Sequence, residues 1–520
     1  MTVRPIALGT AVIALAFGGL TAMPAYASST NVADWTSLET AFQSVAAGSS
    51  DTIVLDADIS ESGVYLGGAN IGTPGPVGGS GGANITLDLN GHALDITAPS
   101  GHAAIEVFQG TSLTITDSGN GGTLNATATQ GGSGIGVSEA QPYYRLGNIT
   151  ITGGAITATA QDTGAGIGAY TLNHLGGTVQ VDGGVVSGTG SNGPGIGGSN
   201  ILRINGGDVT GVGGADFPGV GASQQTLAVN GGSVDATGGS RAAGLGGAYN
   251  WTNLLGITID GATISATGGA GGAGIGTGQH GSIQNGIQIA NSDIDATGGA
   301  GGAGIGGGVQ GDYFTVNVES GAHHVYATGT VLASTTTGGA GIGGGANGPV
   351  GLISVTGTVD ATGGGAAGIG SGAGAGAGEI HLFGGNITAT GTFGSAGIGG
   401  SYGNTAGSVS IMFCPTVHAI GASDALFGGG ASVGTGADVP VGTTAPAMTV
   451  LGSAQTGSAT VSGAGAASGT HTGGLASTLT YSGGSDAYFA TATDGAAAGD
   501  GGELTLRCGA APSGPQSTLT

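Results

Sequence analysis

The sequence contains no lysine, and its cationic side chains other than histidine are five arginines. Against them stand 29 aspartate and glutamate residues, which give a net charge of −24 at pH 7. A surface this acidic repels nucleic acids, anionic membranes and polyuronates, because each of these is itself negatively charged. We therefore expect no nucleic-acid partner. A lyase acting on uronates is also disfavoured, since too few cations are present to hold its substrate.

Long apolar runs are missing after residue 27. Residues 1–27 combine Arg4, an apolar stretch and the small-residue site Ala25-Tyr26-Ala27, a pattern typical of a secretory signal peptide. No later run approaches the roughly 20 apolar residues that span a bilayer, so we expect no membrane span. The prediction is a secreted chain that is extracellular or associated with the cell surface.

Cysteine is scarce. An exported chain with only Cys414 and Cys508 is predicted to join them in one disulfide that closes a long C-terminal loop. No further cysteine or histidine lies at ligand spacing, which disfavours a zinc site. We expect neither a metal nor a cofactor.

Glycine is abundant, with 124 residues, and it recurs in a repeat. Eleven segments resembling V-x-A-T-G lie between residues 124 and 421, about 29 residues apart. Each repeat adds a GAGIG-like segment and an alternating segment such as residues 256–260, giving three short strand signals. Such units bury their apolar faces only against their neighbours. The sequence thus predicts an all-β protein, a right-handed parallel β-helix.

Alternation assigns the faces of these strands. In V-x-A-T-G the first and third residues should point inward, and the second and fourth outward. In GAGIG, Ala273 and Ile275 should face the core, whereas Gly274 and Gly276 should face out and leave a smooth strip. That strip is either a floor for a ligand or a tight wall.

The chain divides into a signal peptide (1–27), a capping helix with the first coils (28–120), regular β-helix repeats (121–422) and an Ala/Gly/Ser/Thr-rich C-terminal cap or tail (423–520). The helix is predicted within residues 34–48, because Leu38, Ala41, Phe42 and Val45 recur at helical spacing. Thr36 and Glu39 have the spacing of a capping box. We expect this helix to cover the open end of the solenoid.

Several segments carry a family resemblance: WTSLETAFQSVAAGSSDTIVLDADI, TLDLNGHAL, LTITDSG, and the alternating GGxVxATG and GAGIGGG units. Over residues 31–422 the chain resembles secreted bacterial right-handed β-helix repeat proteins, which are akin in fold to pectate lyases. The resemblance implies export and a carbohydrate-binding or surface role. It specifies no reaction.

The turns after the GAGIG strands are the richest in aromatic residues, and they include polar companions such as Asn250 and His280. Aromatic faces with hydrogen-bonding neighbours suit sugar rings, so we predict non-catalytic binding of a neutral polysaccharide or cell-wall glycan. Alternatively, the aromatic side chains fold down over the glycine strand. The predicted ligand-binding residues are Tyr143, Tyr144, Tyr170, Tyr249, Trp251, Tyr313 and Tyr402.

Two other functions are open. A polysaccharide hydrolase needs two carboxylates, and Asp235 and Asp295 should lie on one outward ladder two coils apart, roughly 9 to 10 Å. Surface aspartates on a solvated ladder are the simpler interpretation. Ice or crystal-surface binding would use the outward threonine ladder, which occupies the fourth position in nine of the eleven copies. The sequence predicts no oligomeric state.

Overall fold

The computed structural model describes most of the chain beyond residue 27. The predicted signal peptide lies outside the described residues. The described ranges are 28–46, 48–67, 82–138, 145–169, 176–222, 226–251, 254–311, 316–318, 324–330, 338–453, 457–459, 463–483 and 488–508.

The described residues form a parallel β-helix, which confirms the predicted fold class. One face of the coil, here called the threonine sheet, carries the V-x-A-T-G segments. Each strand pairs in parallel with its equivalent in the next coil, for example Val234 with Ile264. Its strands are Ile59–Ser62, Ala93–Ala98, Thr123–Ala128, Ala155–Ala160, Val185–Gly190, Asp208–Val212, Ser233–Thr237, Thr263–Thr267, Asp293–Ala300, His324–Thr330, the later parts of Ile353–Thr362 and Ile380–Thr390, and Thr416–Ile420.

The second face, the glycine sheet, consists of two-residue strands that are mostly Ile-Gly. They are Ile105–Glu106, Ile135–Gly136, Ile167–Gly168, Ile196–Gly197, Val220–Gly221, Leu245–Gly246, Ile275–Gly276, Ile305–Gly306, Ile342–Gly343, Ile369–Gly370, Ile398–Gly399 and Val433–Gly434.

The third face, the alternating sheet, contains the segments that precede V-x-A-T-G. Its strands are Ser28–Val32, Ser50–Leu55, Asn84–Asp88, Ser112–Thr116, Asn148–Ile151, Thr178–Val181, Ile201–Ile204, Thr226–Val229, Gly256–Asp260, Ile287–Ala290, Val316–Val318, the first parts of Ile353–Thr362 and Ile380–Thr390, Val409–Met412, Met448–Ser453 and Leu479–Gly483.

One apolar core runs along the solenoid. Each described member of the inward V-x-A-T-G series, such as Val234 and Ile264, is at most 2% exposed. The isoleucines of the glycine sheet and the inward residues of the alternating sheet are buried as well, and Ile275 and Ile259 are each 0% exposed. The period-2 assignment of these inward positions is confirmed.

The predicted outward glycine strip is wrong. A Cβ on Gly274 would lie 2.7 Å from the carbonyl oxygen of Gly304 and 2.8 Å from the amide nitrogen of Thr297, inside the coil. Gly276 has φ +144°, and its Cβ would lie 1.9 Å from the carbonyl oxygen of Gly306 in the next coil. Both glycines are buried. The strand is therefore a tight wall, in which glycine permits backbone to approach backbone.

The helix spans Trp35–Ser44 and buries Leu38 and Phe42. Its capping box differs from the expected one. Asp34 is the N-cap, its carboxylate accepts a hydrogen bond from the amide N–H of Ser37, and the Ser37 hydroxyl interacts in return with the Asp34 amide. Thr36 lies inside the helix and Glu39 bonds instead with Gln43. The helix contacts strands Ser28–Val32 and Ser50–Leu55, while its role as an end cover stays a prediction.

Parallel coils continue past residue 422, since Val433–Gly434 pairs with Ile398–Gly399. The last described strand, Glu503–Cys508, runs antiparallel between Thr416–Ile420 and Tyr488–Thr493. A further short strand, Gly457–Ala459, pairs antiparallel with Leu479–Gly483. Cys414 and Cys508 are joined by a disulfide, which links this end to the turn before Thr416.

Candidate functional site

The seven aromatic residues expected to bind ligand do not share one environment. Trp251 is 9% exposed and its ring meets that of Phe217 edge-on at 6.1 Å. Tyr249 and Tyr402 are both partly exposed. The other four lie outside the described residues, and they are Tyr143, Tyr144, Tyr170 and Tyr313.

Tyr249 is held in place by charged and aromatic neighbours. The guanidinium carbon of Arg241 lies 3.9 Å from the centre of the Tyr249 ring. The guanidinium in turn donates two hydrogen bonds, of 2.8 and 2.7 Å, to Asp216 in the preceding coil. His280 contacts the ring edge-on at 5.8 Å. One face of Tyr249 is thus occupied by the protein's own arginine, and the ring's orientation is fixed.

Tyr402 occupies the same position of the turn as Tyr249, five coils further on. Its hydroxyl donates a 2.7 Å hydrogen bond to Asp438, which also bonds with His471. Burial, together with the bond to Asp438, raises the pKa of Tyr402 to about 12. Burial alone would raise the pKa of Asp438, but the bonds from His471 and Tyr402 outweigh it and lower that pKa to about 2. The phenol is therefore neutral and the carboxylate charged at physiological pH.

Between these two tyrosines lies a row of polar residues in the left-handed conformation, here called the polar track: Asn250, His280, Gln310 and Asn347. Their φ angles are 58°, 58°, 55° and 57°. Backbone hydrogen bonds put them in register from coil to coil, because the N–H of each residue of the track donates to the carbonyl just before the equivalent residue of the next coil. The next two coils have Gly374 and Gly403 at this position, with φ 78° and 73°.

The side chains of the polar track are available to a ligand. Asn250, Gln310 and Asn347 are exposed, and among the residues that the structure describes no side-chain hydrogen-bond partner is found for them. A second row of amides behaves differently. Asn205 donates to Asp182 at 2.7 Å and Asn230 donates to Asn205 at 2.8 Å. That row stabilises the turns of the coil, whereas the polar track presents unused donors and acceptors to solvent.

Asp235 and Asp295 lie where the sequence placed them. Both are exposed on the threonine sheet, and Ser265 stands between them in register. The outward threonine column on this face is interrupted by Val212, which is 39% exposed. The carboxylates stand on an open sheet face rather than in a cleft.

Sequence reasoning missed half of the polar track. Asn250 and His280 were expected as companions of the aromatic residues, but Gln310, which lies three residues before Tyr313, and Asn347, whose turn has no aromatic residue, were not. The sequence nevertheless contains a signal for these positions. His280, Gln310 and Asn347 each lie four residues after the glycine of an Ile-Gly pair, and each is followed directly by another glycine.

Comparisons with protein-family models, with curated proteins and with solved structures each returned no match. Within the described part of the chain, no helix has the length and apolarity needed to cross a membrane.

Proposed function

We propose that this protein is a secreted, non-catalytic β-helix protein that binds a neutral polysaccharide along the polar track, at the cell surface or outside the cell. The observation that carries the proposal is the row of exposed amide side chains of Asn250, Gln310 and Asn347, which have no hydrogen-bond partner among the described side chains, together with the partly exposed imidazole of His280. These side chains repeat at the coil spacing of about 4.8 Å, so they suit a polymer, whose own groups repeat along its length.

The backbone of the track supports a functional role. A left-handed conformation costs a residue with a side chain about 1–2 kcal/mol, and glycine avoids this cost. The same position is glycine in two later coils. Keeping His280 and Gln310 at such positions is consistent with side chains retained for binding rather than for folding.

The ligand class follows from the side chains and the charge. Amides and imidazole donate to and accept from hydroxyl groups. The partly exposed rings of Tyr249, beside Asn250, and Tyr402, two coils beyond Asn347, add apolar surface for sugar rings. The net charge of −24 disfavours acidic glycans. Membership of the secreted bacterial β-helix repeat proteins is part of this proposal, as is export through the signal peptide.

The test is a glycan array probed with the mature chain, followed by quantitative binding of a double variant. Gln310→Gly with Asn347→Gly removes two side chains of the track while keeping a residue that prefers the left-handed backbone. We expect binding to weaken at least tenfold with no loss of thermal stability. Gln288→Ala, an exposed glutamine on the alternating sheet, is the matched control. Retention of full affinity by the double variant would refute the proposed site.

A further inference from the structure

An aromatic pair, exposed Phe413 and half-buried Phe383, lies near the C-terminal end of the solenoid, at a corner different from that of the polar track. Phe413 is 74% exposed, and its ring lies 6.0 Å from that of Phe383 at an angle of 33°. His381 contacts Phe383 edge-on at 5.7 Å and lies 3.4 Å from the carboxylate of Glu379. We call Phe383, Phe413, His381 and Glu379 the aromatic platform.

Phe383 places an aromatic ring at a corner position that is mostly polar in the earlier coils. It follows the alternating sheet at the position held by Asp182, Asn205 and Asn230, which are linked by side-chain hydrogen bonds, and then by Asp260, Ala290 and Thr356. The half-buried ring makes no such hydrogen bond.

Phe413 takes the place of a glycine. It follows Met412, which pairs with Phe383, so its equivalent in the preceding coil is Gly384, with φ 62°. The turn Phe413-Cys414-Pro415 is one residue longer than Gly384-Gly385, because the next strand resumes at Thr416 opposite Asn386. Phe413 and Cys414 adopt φ 59° and 58°. A left-handed conformation is a genuine outlier for a bulky aromatic residue, and such outliers concentrate at functional sites.

Two links at Cys414 fix the turn that contains Phe413. Cys414 is bonded to Cys508, and its amide N–H donates a 3.1 Å hydrogen bond to the hydroxyl oxygen of Tyr488, whose side chain is fully buried. These links hold Phe413 outward, where its ring gains little packing of its own. The fold thus maintains an exposed ring at a conformational cost.

We infer that the aromatic platform is a second carbohydrate contact, which stacks on one sugar ring of a neutral glycan. Two aromatic rings bury at most 150–250 Å² each, far less than the roughly 800 Å² per partner of a stable protein interface. Offset rings match the C–H face of a sugar, and His381 and Glu379 beside them can bond its hydroxyls. The inference rests on the proposed function, since the ligand class is the same, but it uses different residues.

Phe413→Gly separates binding from folding. Glycine restores the residue that the preceding coil uses, so the variant should be at least as stable as the wild type. Calorimetric titration with cellohexaose, xylohexaose and chitohexaose should show the dissociation constant of the bound sugar rising about tenfold in Phe413→Gly. Phe413→Tyr should retain the affinity, because the ring is kept. Leu426→Ala is the matched control, since Leu426 is 73% exposed elsewhere.

The outcomes distinguish the two sites. If Phe413→Gly keeps the wild-type affinity while the double variant of the polar track loses affinity, the platform is not a carbohydrate contact and the proposed function stands. If Phe413→Gly loses affinity and the track variant keeps it, the platform binds the sugar and the polar track does not. Binding to none of the three sugars, or an equal loss in Leu426→Ala, would overturn the inference.

Discussion

At the scale of the residue, positions with positive φ form two groups, one that serves packing of the coils and one that displays side chains. In the glycine sheet the second residue of each described strand from Ile135–Gly136 to Val433–Gly434 is glycine, with φ of 121–152° except at Gly221, and an added Cβ there collides with the next coil. At the polar track and at Phe413, φ is 55–59° and the residues carry exposed or partly exposed side chains. Positive φ angles thus occur in two ranges, one that serves close packing and one that displays side chains.

Gly276→Ala tests the packing role. Its Cβ would lie 1.9 Å from a backbone oxygen that cannot move without displacing the next coil, and φ is +144°. We expect the free energy of unfolding to fall by about 2 kcal/mol or more. Gly247→Ala is the control, because its Cβ would meet nothing closer than 3.5 Å. Urea unfolding followed by circular dichroism measures both, and equal losses would contradict a tight wall at Gly276.

Asp438 gives a pH dependence at the same scale. Because its pKa is lowered from 3.8 to about 2, the carboxylate's bonds to His471 and Tyr402 stabilise the fold fully above pH 3.8. This contribution is lost as the pH falls through about 2. NMR titration of side-chain carboxyl carbons should show one midpoint near pH 2 that disappears in Asp438→Asn. A midpoint for Asp438 at or above 3.8 would contradict the bonding described for this cluster.

At the scale of the element, local sequence predicted which segments form strands and where the helix lies, but not how the helix is capped. Asp34 and Thr36, near its start, are both suited to the N-cap, and spacing alone does not decide between them. Asp34 takes the position because the chain leaves Ser28–Val32 in an extended conformation, with φ −151° and ψ 167° at Asp34. Thr36 is thereby placed inside the first turn.

Substitutions at the two candidates distinguish these capping schemes. Asp34→Ala removes an acceptor that bonds the Ser37 amide, and this bond lowers the pKa of the Asp34 carboxyl. We expect faster amide hydrogen exchange over Trp35–Ser44 in Asp34→Ala and little change in Thr36→Ala. The reverse order of effects would favour the capping box at Thr36 and Glu39.

At the scale of the whole molecule, periodicity predicted a parallel β-helix because a repeat of about 29 residues with three strand signals leaves few other ways to bury its apolar faces. The same periodicity did not predict that Gly274 and Gly276 would be buried rather than face outward. Period-2 alternation fails at Gly274 and Gly276, since the strand is two residues long and turns at once, with the Ala273 amide donating to the Thr277 carbonyl. Only two of the four residues of the polar track were expected from the sequence, because its members share a backbone conformation and not a residue type.

The central claim is that a polysaccharide lies along the polar track, parallel to the solenoid axis. The most direct measurement is the affinity of the mature chain for one neutral oligosaccharide series of increasing length, taken from the glycan that the array identifies. Four coils span roughly 15 Å. Affinity should therefore rise with each added sugar until the track is filled, and then level off. A disaccharide that binds as tightly as the longest member, or a series with no measurable binding, would contradict the claim.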